Sequence, residues 1–440
     1  MPAVLCGGKY LVARIVFIGA GSVEFTKNVL SDILTLPGLG ESTLVLHDID
    51  AQRLATAEAM AEWMVAELGG GAKVEAHADR RAAVAGADYV INEIAVGGHA
   101  ATRTDFEIPR RYGLRQTIAD TLGIGGIFRA LRTIPVMVGL GNDLAELAPD
   151  ALLLNYTNPM AMIPRAVYQG TPFKRVVGLC HSVRDTQKRL ASLVGVPEEE
   201  VSFVTAGANH QAFVLRFEHQ GRDLYPVLDE VIERDPELRR TVRVEMYRRF
   251  GHFPTESSEH GSEYLPWFLH HDDQVAHFRI PVEVYLRWSE ENLDTYAETR
   301  RRLDAGEGVE IEPMMELASE VIHSIETGTP RVLHGNVRND GLITNLPPDA
   351  CVEVPCLVDR AGVRPTRVGE LPPQLAALNQ TFLNVGDLTV RAALEGRRDH
   401  VYHAAMMDPN ASATLTLQQI HDLVDEMIAA HGDLMPEGVR

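Results

Sequence analysis

Short, nearly unbroken apolar runs alternate with amphipathic stretches over the first 200 residues. Arg14–Gly19 (RIVFIG) is apolar and β-rich, followed by a glycine-rich turn and a helical pattern that Pro37-Gly38 stops after Leu36. Thr43–Asp48 (TLVLHD) is the next predicted strand and Ala51–Leu68 the next helix, ended by Gly69-Gly70-Gly71. Further strands are predicted at Lys73–His77, Asp88–Val96, Ala151–Tyr156 and Val176–Cys180. Strands that are apolar along their length and separated by helices imply a parallel sheet covered on both faces, because each crossover lays a helix on the sheet. The expected class is therefore α/β, with a Rossmann-like doubly wound parallel sheet.

Beyond Val201 the rhythm changes. Val201–Phe217 holds two strand-like runs around Gly207–His210, and polar helical stretches run from about Leu228 to Tyr247 and from Pro281 to Leu303. Arg331–Val363 mixes short β-rich runs with Asn-Asp-Gly and Pro-Pro turns, and helices at Leu375–Glu395 and Leu417–His431 close the chain. At roughly 100–200 residues per domain, a chain of 440 residues accommodates two. The division is placed near residue 200, giving a Rossmann-like domain over 1–200 and a second, α+β domain over 201–440, the two interleaving.

Composition leaves this picture in place, with 45% hydrophobic and 23% charged residues, close to globular averages. Charge narrows it: 41 Lys and Arg against 61 Asp and Glu give a net −20. The basic residues fall in short scattered clusters such as Arg239-Arg240, so nucleic acid is not an expected partner. No stretch approaches the ~18 consecutive apolar residues of a membrane span, and no membrane partner is expected. The N-terminus, MPAVLCGGKYLVAR, has no charged leader or cleavage site and is expected to be a short disordered extension. The four cysteines, Cys6, Cys180, Cys351 and Cys356, are too few and scattered for a disulfide framework. A reducing cytoplasm is the simplest expectation, and it leaves a thiol free for chemistry.

Gly19-Ala20-Gly21-Ser22 lies between the first strand and its helix, where two glycines let the backbone approach a pyrophosphate at the helix N-terminus. Glu24 stands where a third fingerprint glycine would be. Asp48, at the end of the second strand, suits an adenosine ribose diol and so favours NAD over NADP; Asp50 could share that role or cap the following helix. Cys180-His181 closes the sixth strand and His210 follows about thirty residues later, a thiolate and an imidazole that together suit a divalent transition metal with open positions. A buried cysteine is more often inert packing, however, and a lone histidine more often a satisfied core residue. Asn158, in NYTNP, could bind a sugar hydroxyl with donor and acceptor, or cap a helix before Pro159. Asp120–Gly126 is a flexible glycine-rich loop before a helix carrying Arg129 and Arg132, read either as the lead into that helix or as a cover over cofactor and substrate. Thr255–Phe268 concentrates carboxylates with His260, Tyr264 and Trp267, as a sugar site or an interface loop would. Cys351 and Cys356 flank a Val-Glu-Val strand and read as packing residues.

Together GAGS, ADTLGIGGIFRALRTIP, LLNYTNPMAM, VGLCHSV, AGANHQAF, ESSEHGSEYLPWF, GNVRNDGLITNLP and VYHAAMMDP resemble glycoside hydrolase family 4, the NAD- and manganese-dependent glycosidases. The resemblance runs from about Ile15 to His431, and the Cys-His-Ser-Val string is similar to that of the family's α-galactosidases. Ile124 departs from the pattern, standing where many relatives have proline. Ordinary glycosidases act through two carboxylates, and the NAD-dependent family is an exception. The resemblance implies hydride removal from C3 of the sugar by NAD⁺, loss of the acidified C2 proton, elimination of the C1 substituent, water addition and hydride return. It implies a metal on the C2 and C3 oxygens, Mn²⁺ or another divalent transition ion.

By motif position the resemblance makes Cys180 and His210 metal ligands, Asn158 a substrate ligand, and Gly19, Gly21, Ser22 and Asp48 the cofactor site. His181 would be the general acid that protonates the leaving oxygen. Tyr264 is the candidate base, with Asp120, Glu256 or Glu259 as alternatives; a free tyrosine, pKa ~10, needs a metal or cation to serve. The implied activity is hydrolysis of small α-galactosides by a homodimer or homotetramer, with the second domain binding substrate and metal and mediating oligomerisation. Other readings are an α-glucosidase or α-uronidase of the family, a net NAD-dependent 2-hydroxy-acid dehydrogenase, or a non-catalytic NAD-binding protein. The Cys-His pair and large second domain speak against the dehydrogenase, and the non-catalytic reading leaves Cys180 and His210 without a task.

Overall fold

The computed structural model describes residues 12–440, so Cys6 and the expected N-terminal extension lie outside the described residues. The chain alternates β1 (Arg14–Ile18), α1 (Val23–Thr35), β2 (Thr43–His47), α2 (Ala51–Leu68), β3 (Lys73–His77), α3 (Arg80–Val84), β4 (Tyr89–Asn92), α4 (Gly98–Arg111), α5 (Gly123–Leu147), β5 (Leu152–Asn155), α6 (Ile163–Gly170), β6 (Val176–Gly178) and α7 (Ser182–Val194). There follow β7 (Val201–Ala206), β8 (Phe213–His219), β9 (Arg222–Asp223), α8 (Tyr225–Arg234), α9 (Val242–Phe250), α10 (Ser258–Glu263), α11 (Asp272–His277), α12 (Val284–Asp304) and α13 (Leu317–Thr327). Three more strands, β10 (Arg331–Arg338), β11 (Cys351–Asp359) and β12 (Gly362–Pro365), precede α14 (Pro373–Glu395), α15 (Arg398–Met407), α16 (Pro409–Thr414) and α17 (Leu417–His431).

The main sheet runs β12-β11-β10-β6-β5-β4-β1-β2-β3. From β3 to β6 every pairing is parallel, with Ile15 of β1 opposite Leu44 on one side and Tyr89 on the other. Strand β1 is buried on both faces, as its unbroken apolar run requires. Strand order reverses between β1 and β4, which opens a crevice beyond their carboxyl ends, the place where open α/β sheets bind ligands. Strand β10, from the far side of residue 200, then adds antiparallel to β6 through Asn336 opposite Gly178. A smaller antiparallel sheet, β7-β8-β9, packs with α7, α8 and α9 around its own apolar cluster of Leu190, Val214, Phe217, Leu228 and Phe253.

Two local expectations change. The helical stretch from Leu228 to Tyr247 is two helices, because Pro236 disfavours helical backbone at Asp235, where α8 ends in an extended conformation. The glycine-rich segment after Asp120 is the buried first turn of α5 rather than a flexible cover. A Cβ at Gly125 would lie 2.6 Å from the Ala119 carbonyl oxygen and one at Gly126 2.6 Å from the Thr121 carbonyl carbon, so the glycines let the preceding loop fold onto the helix. By length and composition α5 could cross a membrane, but 72% of its most apolar window is buried inside the protein, as in a core helix.

Arg132 of α5 forms a bidentate pair with Asp105 of α4 at 2.6 and 3.1 Å, and His431, the last residue of α17, meets the same carboxylate at 2.9 Å. All three side chains are buried, so the pair ties the C-terminal helix to the core. Asp105→Ala leaves a buried guanidinium without its counter-charge and is expected to cost about 3–5 kcal/mol of stability. A fall in denaturation midpoint checks this, and a midpoint equal to that of the parent protein would refute it.

Candidate active site

The turn after β1 is pinned to β2: Gly19 and Ala20 N–H donate to the His47 carbonyl at 2.9 and 3.1 Å. Gly21 N–H donates to Asp48 Oδ2 at 2.9 Å, and Arg53 Nη1 donates to the Gly21 carbonyl at 2.9 Å. A Cβ at Gly21 would lie 2.5 Å from Arg53 Cβ and 2.6 Å from Asp48 Oδ2, so only glycine fits this approach. Ser22, at the exposed N-cap of α1, makes no side-chain capping bond, which leaves its hydroxyl and the first-turn amides free for an anion. Asp50 caps α2 through Gln52 and Arg53 N–H, the capping role open to it in the sequence. Each Asp48 oxygen accepts one backbone N–H and keeps lone-pair capacity for a diol. These residues fit a dinucleotide.

Glu93, just past β4, adds a group the sequence analysis does not single out. Its Oε1 accepts from Thr26 Oγ1 at 2.6 Å, and burial, with the Asp48 and Glu316 carboxylates nearby, pushes its carboxyl well up.

Cys180 follows β6 and His210 lies in the β7–β8 connection, while Glu256 precedes α10. A sulfur, an imidazole nitrogen and a carboxylate oxygen from these three lie within 4.8 Å of one another. His210 Nδ1 faces Thr121 Oγ1 at 3.0 Å and Tyr264 OH at 3.2 Å, which leaves Nε2 toward Glu256 Oε2 at 3.5 Å. Such outer bonds orient a metal-ligating imidazole. A soft sulfur, an imidazole and a carboxylate form a transition-metal donor set, and three protein donors leave coordination positions for substrate. Burial, with Glu256 and Glu353 nearby, pushes the Cys180 thiol well up, and a cation is what would favour its thiolate. Burial also acts to raise the Glu256 carboxyl, but His210 and His260 outweigh it and hold it below its ordinary value.

Asp120 is buried beside this group. It accepts from Asn158 Nδ2 at 2.8 Å and from Thr121 Oγ1 at 2.8 Å, and His260 Nε2 lies 3.4 Å away. Burial acts to raise its carboxyl, but His260, Arg129 and His210 together hold it well below the usual range. Asn158 Oδ1 is buried without a protein partner, an acceptor free for a sugar hydroxyl. Tyr264 is fully inside, and burial, then Asp120, Glu263 and Glu256, push its hydroxyl well above the ordinary tyrosine value. Glu263 shapes the loop before Asp120 by accepting Thr117, Ile118 and Ala119 N–H at 2.9, 3.2 and 3.0 Å.

Asp120, Asn158, Cys180, His210 and Tyr264 thus form one continuous group, and Gly19, Gly21, Ser22 and Asp48 a second one at the switch point. His181 faces elsewhere: its Nε2 meets Glu316 Oε2 at 2.7 Å and its ring stacks on Tyr156. Burial acts to lower its pKa, but Glu316 more than offsets this and raises it. Arg129 reaches the site, donating to the Asn158 carbonyl at 3.3 Å, whereas Arg132 serves Asp105. Cys351 and Cys356 are wholly buried packing residues, as expected. The sequence offers Glu256 only as an alternative base, and its four-residue spacing from His260, whose Nδ1 lies 3.5 Å from Glu256 Oε1, is the signal that joins it to the group.

The family 4 glycosyl hydrolase family matches residues 14–196, and the C-terminal domain of the same family matches residues 205–411. The chain is 43% identical over 432 residues to an α-galactosidase of Bacillus subtilis (strain 168), covering 96% of this chain and 99% of that one. It is 35% identical to an α-galactosidase of Rhizobium meliloti (strain 1021), over 96% of this chain and 89% of that one. Among solved structures, a 6-phospho-α-glucosidase from gut microorganisms, in complex with NAD and Mn²⁺, superposes with a TM-score of 0.81 at 22% identity, covering 97% of this chain and 99% of that one.

The donor set predicts that Cys180→Ser and His210→Ala each weaken Mn²⁺ binding by more than the ~10–100-fold that outer partners of a ligand contribute. Cys351→Ser, at a thiol outside the group, should leave it unchanged. Mn²⁺ titration followed by electron paramagnetic resonance separates these thiols, and equal loss in the Cys351 variant would refute the assignment.

Proposed function

We propose that the chain, which belongs to glycosyl hydrolase family 4, hydrolyses terminal α-galactosides with NAD⁺ and a divalent metal, Mn²⁺ foremost, as its bound cofactors. The observation that carries this reading is the Cys180–His210–Glu256 donor set beside Asn158, whose free Oδ1 offers a sugar hydroxyl an acceptor. The similarity to two α-galactosidases over nearly the whole chain supports the choice of sugar. When bound, the dinucleotide supplies a reversible hydride acceptor for C3, while the metal supplies Lewis acidity at the C2 and C3 oxygens and a positive charge that favours ionised neighbours.

The chain's own residues divide the remaining work. The Gly19–Ser22 turn and the α1 N-terminus hold the pyrophosphate, and Asp48 takes the ribose diol. Cys180, His210 and Glu256 hold the metal. Asn158 is oriented by Asp120, whose carboxylate is engaged by Asn158 Nδ2 and Thr121 Oγ1 and serves as a fixed anion. Tyr264, beside His210, would take the C2 proton, a role that burial and the neighbouring carboxylates oppose and a bound cation favours. His181, whose Nε2 Glu316 draws away from this group while favouring the imidazolium, would give its proton to the leaving oxygen on turning from that partner. The first 200 residues supply the dinucleotide site, and later segments complete the metal and sugar site.

A uronide would need a cation facing C6. Arg129 is the half-buried cation beside Asn158, but it is engaged with the Asn158 carbonyl and Tyr285 OH and balanced by Asp120, which favours a neutral sugar.

The expected outcome is galactose release from a nitrophenyl α-galactoside only with NAD⁺ and Mn²⁺ both present. In deuterated solvent the product carries deuterium at C2. Hydrolysis that persists after both cofactors are removed overturns the reading, and a preference for glucosides or uronides in a nitrophenyl panel overturns the sugar.

A further inference from the structure

Glu353 is the third residue of β11 and is wholly buried, an acid in the interior of the main sheet. Its Oε1 accepts from Asn209 Nδ2 at 3.1 Å and Asn336 Nδ2 at 3.3 Å, while Oε2 has no protein partner. Its backbone is committed to the same connection: Glu353 N–H donates to the Gly207 carbonyl at 2.7 Å, and Gly207 N–H donates back at 3.2 Å. Asn336 sits opposite Glu353 in the β10–β11 register and opposite Gly178 on its other side, and its Nδ2 also donates to the Gly178 carbonyl at 3.3 Å.

One carboxyl therefore joins the two stretches of chain that carry Cys180 and His210. Gly178 is two residues before Cys180, and Asn209 immediately precedes His210. The hydrogen bonds alone do not call for an acid, because a glutamine oxygen would accept the same two N–H groups without a buried charge. Among the described residues Glu353 forms no ion pair, although its field reaches both Cys180 and His210. Burial leaves the carboxyl poised, pushed up to about 7, and a cation within its field would stabilise the anion.

We propose that Glu353 is a positioning residue for the metal centre: it sets the separation of Cys180 and His210 through Asn336 and Asn209, and its negative charge raises the affinity for a divalent cation bound between them. This rests on the metal reading of Cys180, His210 and Glu256. Outer partners of this kind typically contribute ~10–100-fold to metal affinity.

The test measures Mn²⁺ affinity by electron paramagnetic resonance and NAD⁺ affinity by fluorescence titration, in the parent protein, Glu353→Gln and Glu353→Ala. Glu353→Gln keeps the acceptor, and Asn209 Oδ1 and Asn336 Oδ1, both without protein partners, are acceptors of the kind its amide needs, so it should fold as the parent does. The expected result is Mn²⁺ affinity weaker by about tenfold in Glu353→Gln and by about 100-fold in Glu353→Ala, with NAD⁺ affinity unchanged in both. Parent-like Mn²⁺ binding in Glu353→Gln overturns the role of the charge, and parent-like binding in both variants overturns the proposal as a whole. A Glu353→Gln protein that does not fold also overturns it, by assigning the residue to stability alone. If the parent protein binds no Mn²⁺, the metal reading fails and the proposal with it; if the parent binds and the variants do not differ, the proposal fails alone.

Discussion

A sulfur, an imidazole and a carboxylate from residues 180, 210 and 256 have to be held within 4.8 Å of one another, although they arrive from a strand end, a connection and the approach to a short helix. Much of the architecture around the crevice follows from that requirement. Strand β6 delivers Cys180, and the Gly207–His210 stretch is tied to β11 by paired backbone bonds. Glu263 gathers three successive amides so that Asp120 and Thr121 face His210. Each tie is a buried polar contact whose loss would leave a donor or acceptor unsatisfied, so the geometry is rigid in proportion to its cost.

The same crowding sets the electrostatics. Asp120, Glu256, Glu263 and Glu353 are four acids in one interior, and Cys180 would add a fifth negative charge on ionisation. The compensating groups are His210, His260, Arg129 and the backbone amides on Glu263. They hold Asp120 and Glu256 ionised, but they leave Tyr264, Glu263 and Glu353 pushed toward their neutral forms. Such an interior is biased toward accepting positive charge.

Much of the fold was legible in the sequence, because the period of apolar positions is a local property. The Ala51–Leu68 and Leu417–His431 helices were predicted with their observed limits, since Asp50 caps one and a Thr416–Gln419 capping box opens the other. Strands β4 and β5 proved shorter than their apolar runs, because their shared ladder begins at Tyr89 opposite Leu152 and ends at Asn92 opposite Asn155. The glycine-rich run after Asp120 was ambiguous for a different reason: a loop and a helix start built for close approach have the same composition. Within the site, residues in dense motifs stood out, among them Gly19, Gly21, Cys180, His210 and Tyr264. Glu316 is one of several glutamates in an acidic stretch and Glu353 a single acid in a Val-Glu-Val strand, so their neighbours mark neither. Their partners lie 135 residues away at His181 for the first and 144 away at Asn209 for the second, separations at which no local pattern survives.

Without β10, strand β6 would form one margin of the parallel sheet and present a row of unpaired amides and carbonyls to other chains. The antiparallel addition of β10, β11 and β12 moves that margin three strands outward. It ends there on a four-residue strand carrying Arg364 and closing with Pro365, a border that is short, charged and lacks one donor, and therefore a poor template for further pairing. The strand that delivers Cys180 thereby becomes an interior one, and the chain's protection against edge-to-edge aggregation and the placement of its candidate site have a common origin.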